Sequence, residues 1–188
     1  GGTIVGYNKG SIELCASEGC IGAWNSNETG KSTSNYSYIG GIAGINAGTI
    51  TKSSLSGSGK ILAQRIKEGQ IVEGTTNANV GGIAGYNMSG ATISECYFEG
   101  IRVHGDENVG GIAGLNAGGI ENCYVGAAYS SSTGIYSYVG GRTNVGGLVG
   151  KEEAGSTVEN CYVTANVYAY GENAVAYAAS KNATNGVL

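Results

Sequence analysis

Three times along the chain a cysteine is followed by a tyrosine and preceded by a glutamate, in SECYF at 94–98, ENCYV at 121–125 and ENCYV at 159–163. Each of these residue types could do chemistry. Glu121 and Glu159 hold the same place in successive copies, so stacked strands would set their backbones about 5 Å apart. That resembles the carboxylate spacing of a retaining glycosidase, although two solvated surface acids explain the pair equally well. Tyr97, Tyr124 and Tyr162 would form a column of phenols on an outer face. Such rings offer flat apolar faces and a hydrogen-bonding rim to sugars or proteins. The competing explanation is that they pack on one another and stabilise a sheet.

The thiols are the third candidate. Cysteines stand at 15, 20, 96, 123 and 161, and four of the five share one repeat position. Stacked thiols fall within the Cα range of a disulfide, but parallel side-chain vectors match its geometry poorly. The expectation is a buried column of free thiols behaving as small hydrophobes. A structural zinc site wants close Cys/His pairs, whereas only Cys15 and Cys20 are close and His104, the single histidine, is far along the chain. No metal is expected. Calcium arrays need Asp-rich loops, and Asp106 is the only aspartate. Gly81-Gly82 is followed by neither a GxGxxG pattern nor Lys-Ser/Thr, so no phosphate loop and no cofactor is expected. Enzymes that cut acidic polysaccharides on β-helices use clustered acids, often with a basic residue, and this pattern is missing; the chain is therefore expected to be non-catalytic.

The element that must position these residues is NVGGIAGLNAGGIENCYV at 108–125. Related copies are NVGGIAGYNMSGATISECYF at 79–98, NVGGLVGKEEAGSTVENCYV at 144–163, YIGGIAGINAGTITKSSLSG at 38–57 with Ser53 in the cysteine place, and GGTIVGYNKGSIELCAS at the start. Their glycine markers at 2, 40, 81, 110 and 146 are 38, 41, 29 and 36 residues apart. Intervals of this size indicate a solenoid, propeller or array. The shortest unit has no room for a four-stranded propeller blade, and a solenoid tolerates loops of unequal length between strands that stack. We therefore expect an all-β chain, a single right-handed parallel β-helix of about five coils spanning 1–188, with handedness following the rule for parallel crossovers.

Composition agrees. With 36 Gly, no Pro and one Phe, Met and Trp each, the chain suits a narrow interior of Ile, Val and Ala. Within a unit, one strand is expected at GGIAG, a second at TIxxCYF and a short third such as IRVHG at 101–105. The Asn/Gly-rich break between the first two would be a positive-φ turn. Ile93, Ile120 and Val158 break the alternation that holds from Cys to Phe98, Val125 and Val163, so a bend must intervene. Asn122 and Asn160, with Glu95 in the equivalent place, are expected to form a buried ladder there. The spacer at 56–76 reads as a helical turn or a hairpin, GIYSYVGG from Gly134 belongs to an inserted hairpin, and the tail from Asn173 reads as a worn copy covering the last coil. Trp24 is expected to anchor a loop, and Tyr36, Tyr38, Tyr136, Tyr138, Tyr168 and Tyr170 to lie near the tyrosine column.

A net charge of −4, with basic residues scattered singly, gives no patch that would neutralise a phosphate backbone, so no nucleic-acid partner is expected. No apolar run reaches the roughly 20 residues needed to span a bilayer, so no membrane insertion is expected. The chain starts within a repeat, which suggests excision from something longer whose remainder pairs with the N-terminal edge.

The GGLVG segment at 146–150 and the GGIAG versions at 40, 81 and 110, each followed by GxI/VxxCY or a variant, resemble the GLUG motif. The likeness covers 40–57, 79–98, 108–125 and 144–163. That family occurs in bacterial cell-surface proteins and in the N-terminal regions of secreted immunoglobulin A1 metallopeptidases. The resemblance implies an extracellular setting on a bacterial cell surface and a structural or adhesive repeat presenting loops and a tyrosine face to host glycans or proteins. Alternatives are a polysaccharide-degrading β-helix and a passive spacer in an immunoglobulin A protease. The HExxH helix of those peptidases is missing from this chain, so none of their catalysis carries over.

Overall fold

The glycine pair that opens each repeat is a corner rather than part of one strand. In the computed structural model Asn79–Gly81 ends at the first glycine of the pair and Ala84–Asn87 begins a new strand on another wall. GGIAG was expected to form a single strand. The difference is steric: a β-carbon on Gly81 would strike the Ala84 carbonyl, and one on Gly82 the Gly111 carbonyl of the next coil and the Phe98 ring. The motif is therefore written in glycine because two backbones meet where the chain turns.

The structure describes residues 1–25, 38–67, 70–72, 78–100, 102–127, 129–130, 135–169, 176–177 and 180–182, and among these there is no helix. Five parallel walls form a β-helix of about five coils. The first wall stacks Tyr38–Gly40, Asn79–Gly81, Glu107–Gly110, Thr143–Gly146 and Ala176–Tyr177. The second stacks Val5–Asn8, Ala43–Asn46, Ala84–Asn87, Ala113–Asn116, Val149–Glu152 and Ser180–Asn182. Ser11–Glu13, Thr49–Thr51, Thr92–Ser94, Gly119–Glu121 and Thr157–Glu159 make the third. The fourth has two-residue strands, Ala16–Ser17, Ser54–Leu55, Tyr97–Phe98, Tyr124–Val125 and Tyr162–Val163. The fifth comprises Cys20–Asn25, Lys60–Lys67, Arg102–His104, Tyr138–Gly141 and Asn166–Ala169.

Register puts like on like. Ile12, Ile50, Ile93, Ile120 and Val158 align through the third wall, and Leu55, Phe98, Val125 and Val163 through the fourth. Inner coils bury these side chains completely, as at Ile50, Ile93, Ile120 and Phe98. Each large aliphatic side chain sealed in this way contributes about 1.5–3 kcal/mol. The end coils are looser: Ile12, Val158 and Val163 are only partly buried. Stacking, rather than any single coil, closes the core.

The spacers behave as hairpins hung on this frame. Gln70–Val72 folds back antiparallel on Arg65–Lys67, and Tyr129–Ser130 pairs with Ile135–Tyr136. The tail adds strands to the first two walls, with Ala176 beside Val145 and Ser180 beside Val149. Tyr36 and the remainder of the spacers and tail lie outside the described residues, as do the side chains of Trp24, Tyr136 and Tyr170.

The asparagine ladder exists, but not at Asn122 and Asn160. Those two are exposed and carry φ near +50°, as do Leu14, Lys52 and Glu95 at the same corner. A left-handed residue turns the chain from third wall to fourth and sends its own side chain outward. The buried ladder runs instead through Asn8, Asn46, Asn87 and Asn116 at the corner from second wall to third. Each Nδ2 donates to the next Oδ1 at 2.8, 2.9 and 2.8 Å, and also to a third-wall carbonyl, as from Asn87 to Gly119 at 3.1 Å. A shorter ladder joins Asn144 to Asn108 and Asn108 to Asn79 at 2.8 and 2.7 Å. The turn after the long ladder uses positive φ only where it is long, at Gly90 and Gly155; in the shorter turns Gly48 and Gly118 instead donate their amides to the ladder asparagine two residues back.

Candidate functional site

The fourth wall is only two residues wide, so every coil offers one inward and one outward side chain there. Inward are Leu55, Phe98, Val125 and Val163; outward are Ser54, Tyr97, Tyr124 and Tyr162. The three phenols expected to align do so. Tyr97 and Tyr124 have ring centroids 5.0 Å apart with planes 6° off parallel, and Tyr124 and Tyr162 are 5.2 Å apart at 4°. The rings turn their faces to each other, each pair adding about 0.5–1.5 kcal/mol. What the stack turns to solvent is therefore its edges and hydroxyls, together with the terminal ring of Tyr162, which is 56 % exposed.

A carboxylate completes this surface. The Tyr124 hydroxyl donates to Glu99 Oε1 at 3.2 Å. Glu99 reaches it because the next coil has Gly126 in the matching place; a β-carbon there would collide with the Glu99 side chain. Desolvation, then the Glu99 charge and hydrogen bond, raise the Tyr124 pKa to about 12, which keeps the phenol a donor.

Glu121 and Glu159 are in register and both exposed. Their column continues through Ser94 and Thr51 to Glu13, which pairs with Lys52 at 3.6 Å across a solvated gap. Among the described residues no three His, Cys, Asp or Glu side chains converge as a metal site would require.

The other tyrosines do not all join the column. Tyr38 stacks on Tyr86 at 5.4 Å, joining the first wall to the second. Tyr138 and Tyr168 lie on the fifth wall in an edge-on pair at 5.8 Å. Around Tyr138 gather Arg102, 5.6 Å from the ring centroid, and the edge-on His104 at 6.2 Å. Burial first, then the neighbouring Arg102, lowers the His104 pKa. This cluster was not foreseen. The signal was present, since Arg102 and Tyr138 each precede the buried valine of their strand and so share a column.

Cys15, Cys96, Cys123 and Cys161 are all free and share one corner, but only Cys96 and Cys123 are buried as expected; Cys15 and Cys161, on the outer coils, are partly exposed. These thiols are more than small hydrophobes. Each donates to the carbonyl two residues back, and Cys123 and Cys161 each accept the amide N–H of the cysteine one coil earlier. Ser53 does the same work with its hydroxyl, donating to Thr51 at 2.8 Å and accepting from Cys15 at 3.1 Å. The outward turn of the preceding left-handed residue leaves these amides facing inward, which is why a small hydrogen-bonding side chain stands at this position.

Residues 76–103 and 136–168 match the family model of the GLUG motif. Comparisons with curated proteins and with solved structures gave no match.

Proposed function

From these GLUG-motif repeats we propose a non-catalytic module of a bacterial surface or secreted protein, whose fourth-wall tyrosine face binds host glycans or proteins. The supporting observation is the stack of Tyr97, Tyr124 and Tyr162, held in register by the solenoid and edged by Glu99. Rigid phenols lose little entropy on binding, and their hydroxyl rim together with a carboxylate suits the hydroxyl-rich surface of a glycan. A preformed platform of this kind needs no acid/base pair.

The test is binding of the chain to an array of host glycans, mucins and immunoglobulin A, beside a Tyr97/Tyr124/Tyr162→Ala variant whose urea midpoint confirms folding. Saturable binding that falls at least tenfold in the variant supports the reading. Binding that survives the triple substitution, or none at high micromolar concentration, overturns it in favour of another face or a passive spacer.

A further inference from the structure

The corner between the third and fourth walls holds three thiols in consecutive coils, and these differ in their access to solvent. Cys96 and Cys123 are each 1 % exposed, whereas Cys161, on the last coil of both walls among the described residues, is only partly buried. The amide of Cys123 donates to Cys161 Sγ at 3.3 Å. Strands paired in register lie about 4.8 Å apart, inside the Cα range that a disulfide spans. We propose that Cys123 and Cys161 are a peroxide-responsive dithiol, a modification site in which Cys161 is attacked first and Cys123 resolves it.

The chemistry balances with hydrogen peroxide as the named oxidant. The Cys161 thiolate attacks one peroxide oxygen, an S–O bond forms, the O–O bond breaks, and hydroxide leaves. Sulfur has lost two electrons and the peroxide has gained them. Cys123 then gives up its proton, which neutralises that hydroxide to water, and its sulfur displaces the sulfenic oxygen from Cys161. The sulfenic oxygen leaves as hydroxide and is neutralised to the second water by the proton that Cys161 released on ionising, so two thiols and one peroxide become one disulfide and two waters.

The surroundings divide the roles between the two sulfurs. The Cys123 amide N–H aimed at the Cys161 sulfur favours a thiolate there and lowers its pKa, against the opposing effect of burial. Cys123, buried and with its S–H donated to the Glu121 carbonyl, keeps its proton until it is needed. Cys96, whose amide donates to Cys123, has its own sulfur sealed in the core. Cys15 is a matched control, partly buried at the same repeat position but facing the Ser53 hydroxyl where Cys161 faces a thiol. Parallel in-register strands fit a disulfide imperfectly, and strained bridges are readily reduced.

The experiment treats the folded chain with one equivalent of hydrogen peroxide at pH 7, blocks remaining thiols under denaturing conditions, and maps tryptic peptides. Cleavage after Lys67, Arg102, Arg142, Lys151 and Lys181 places Cys96, Cys123 and Cys161 on separate peptides, 68–102, 103–142 and 152–181. The expected product is a cross-link between the last two, reversed by dithiothreitol, formed at least fivefold faster than any oxidation of Cys15. In Cys123→Ser, a substitution whose fit Ser53 already demonstrates, Cys161 should accumulate as a sulfenic acid trapped by dimedone; in Cys161→Ser, Cys123 should stay reduced. Oxidation of Cys161 no faster than Cys15, or oxidation that never yields the 103–142/152–181 cross-link, overturns the proposal.

Discussion

Two corners of this β-helix face one problem and answer it with different chemistry. Where the second wall turns into the third, buried asparagines at 8, 46, 87 and 116 hydrogen-bond to each other and to turn backbone. Where the third turns into the fourth, a left-handed residue makes the bend, and a thiol or hydroxyl behind it satisfies an amide and a carbonyl. An amide side chain carries donors and an acceptor and so extends across coils, whereas a thiol offers one weak donor and one weak acceptor. The first corner therefore links side chain to side chain through four coils, whereas the second joins neighbouring coils by one amide-to-sulfur or amide-to-hydroxyl bond at a time.

The sharpest way to break this contrast is Asn87→Ala. Its loss leaves Asn46 without one of its acceptors, Asn116 Oδ1 with only the Gly118 amide, and the Gly119 carbonyl without the Asn87 donor inside the core, a cost of about 3 kcal/mol. Asn8→Ala, at the end of the ladder, should cost about 1 kcal/mol. Urea unfolding measures both, and equal values would show that the ladder does not act across coils. At the other corner, Cys123→Ala should cost about 2 kcal/mol, because the Cys96 amide loses its acceptor and a small void opens. Cys123→Ser should stay within about 1 kcal/mol of the unmodified chain, since a hydroxyl serves at Ser53. If the two variants are equally unstable, sulfur volume rather than hydrogen bonding holds that corner. The smallest effect is a gain: Glu95 has φ +52°, and Glu95→Asn should raise stability by about 0.5 kcal/mol, because asparagine accepts that backbone more readily. A loss in the same unfolding assay would mean that the Glu95 side chain contributes something Asn122 and Asn160 do not.

Much of this was legible in the chain. The repeat of GG, Asn, Ile and Cys-Tyr announces stacked coils, because a side chain that recurs at one place in successive coils lands on its own copy. The alternation from Cys96 to Phe98 correctly sets Tyr97 outward, and the break at Ile93 correctly demands a bend. The asparagine reading failed because periodicity marks both Asn87 and Asn122 as recurrent without saying which points inward. That choice depends on the sign of φ at the corner, and the same corner accepts Leu14, Lys52 and Glu95, which have no shared chemistry to read.

The sequence by itself determined the coil, its register and the tyrosine and thiol columns, since all follow from repetition. Tertiary structure decided where the corners fall, which asparagines are buried, that the tyrosine rings cover one another's faces, and that Glu99 reaches Tyr124 over Gly126. Those outcomes depend on contacts between residues some 25 to 40 positions apart, at distances of a few ångströms, which no local pattern encodes.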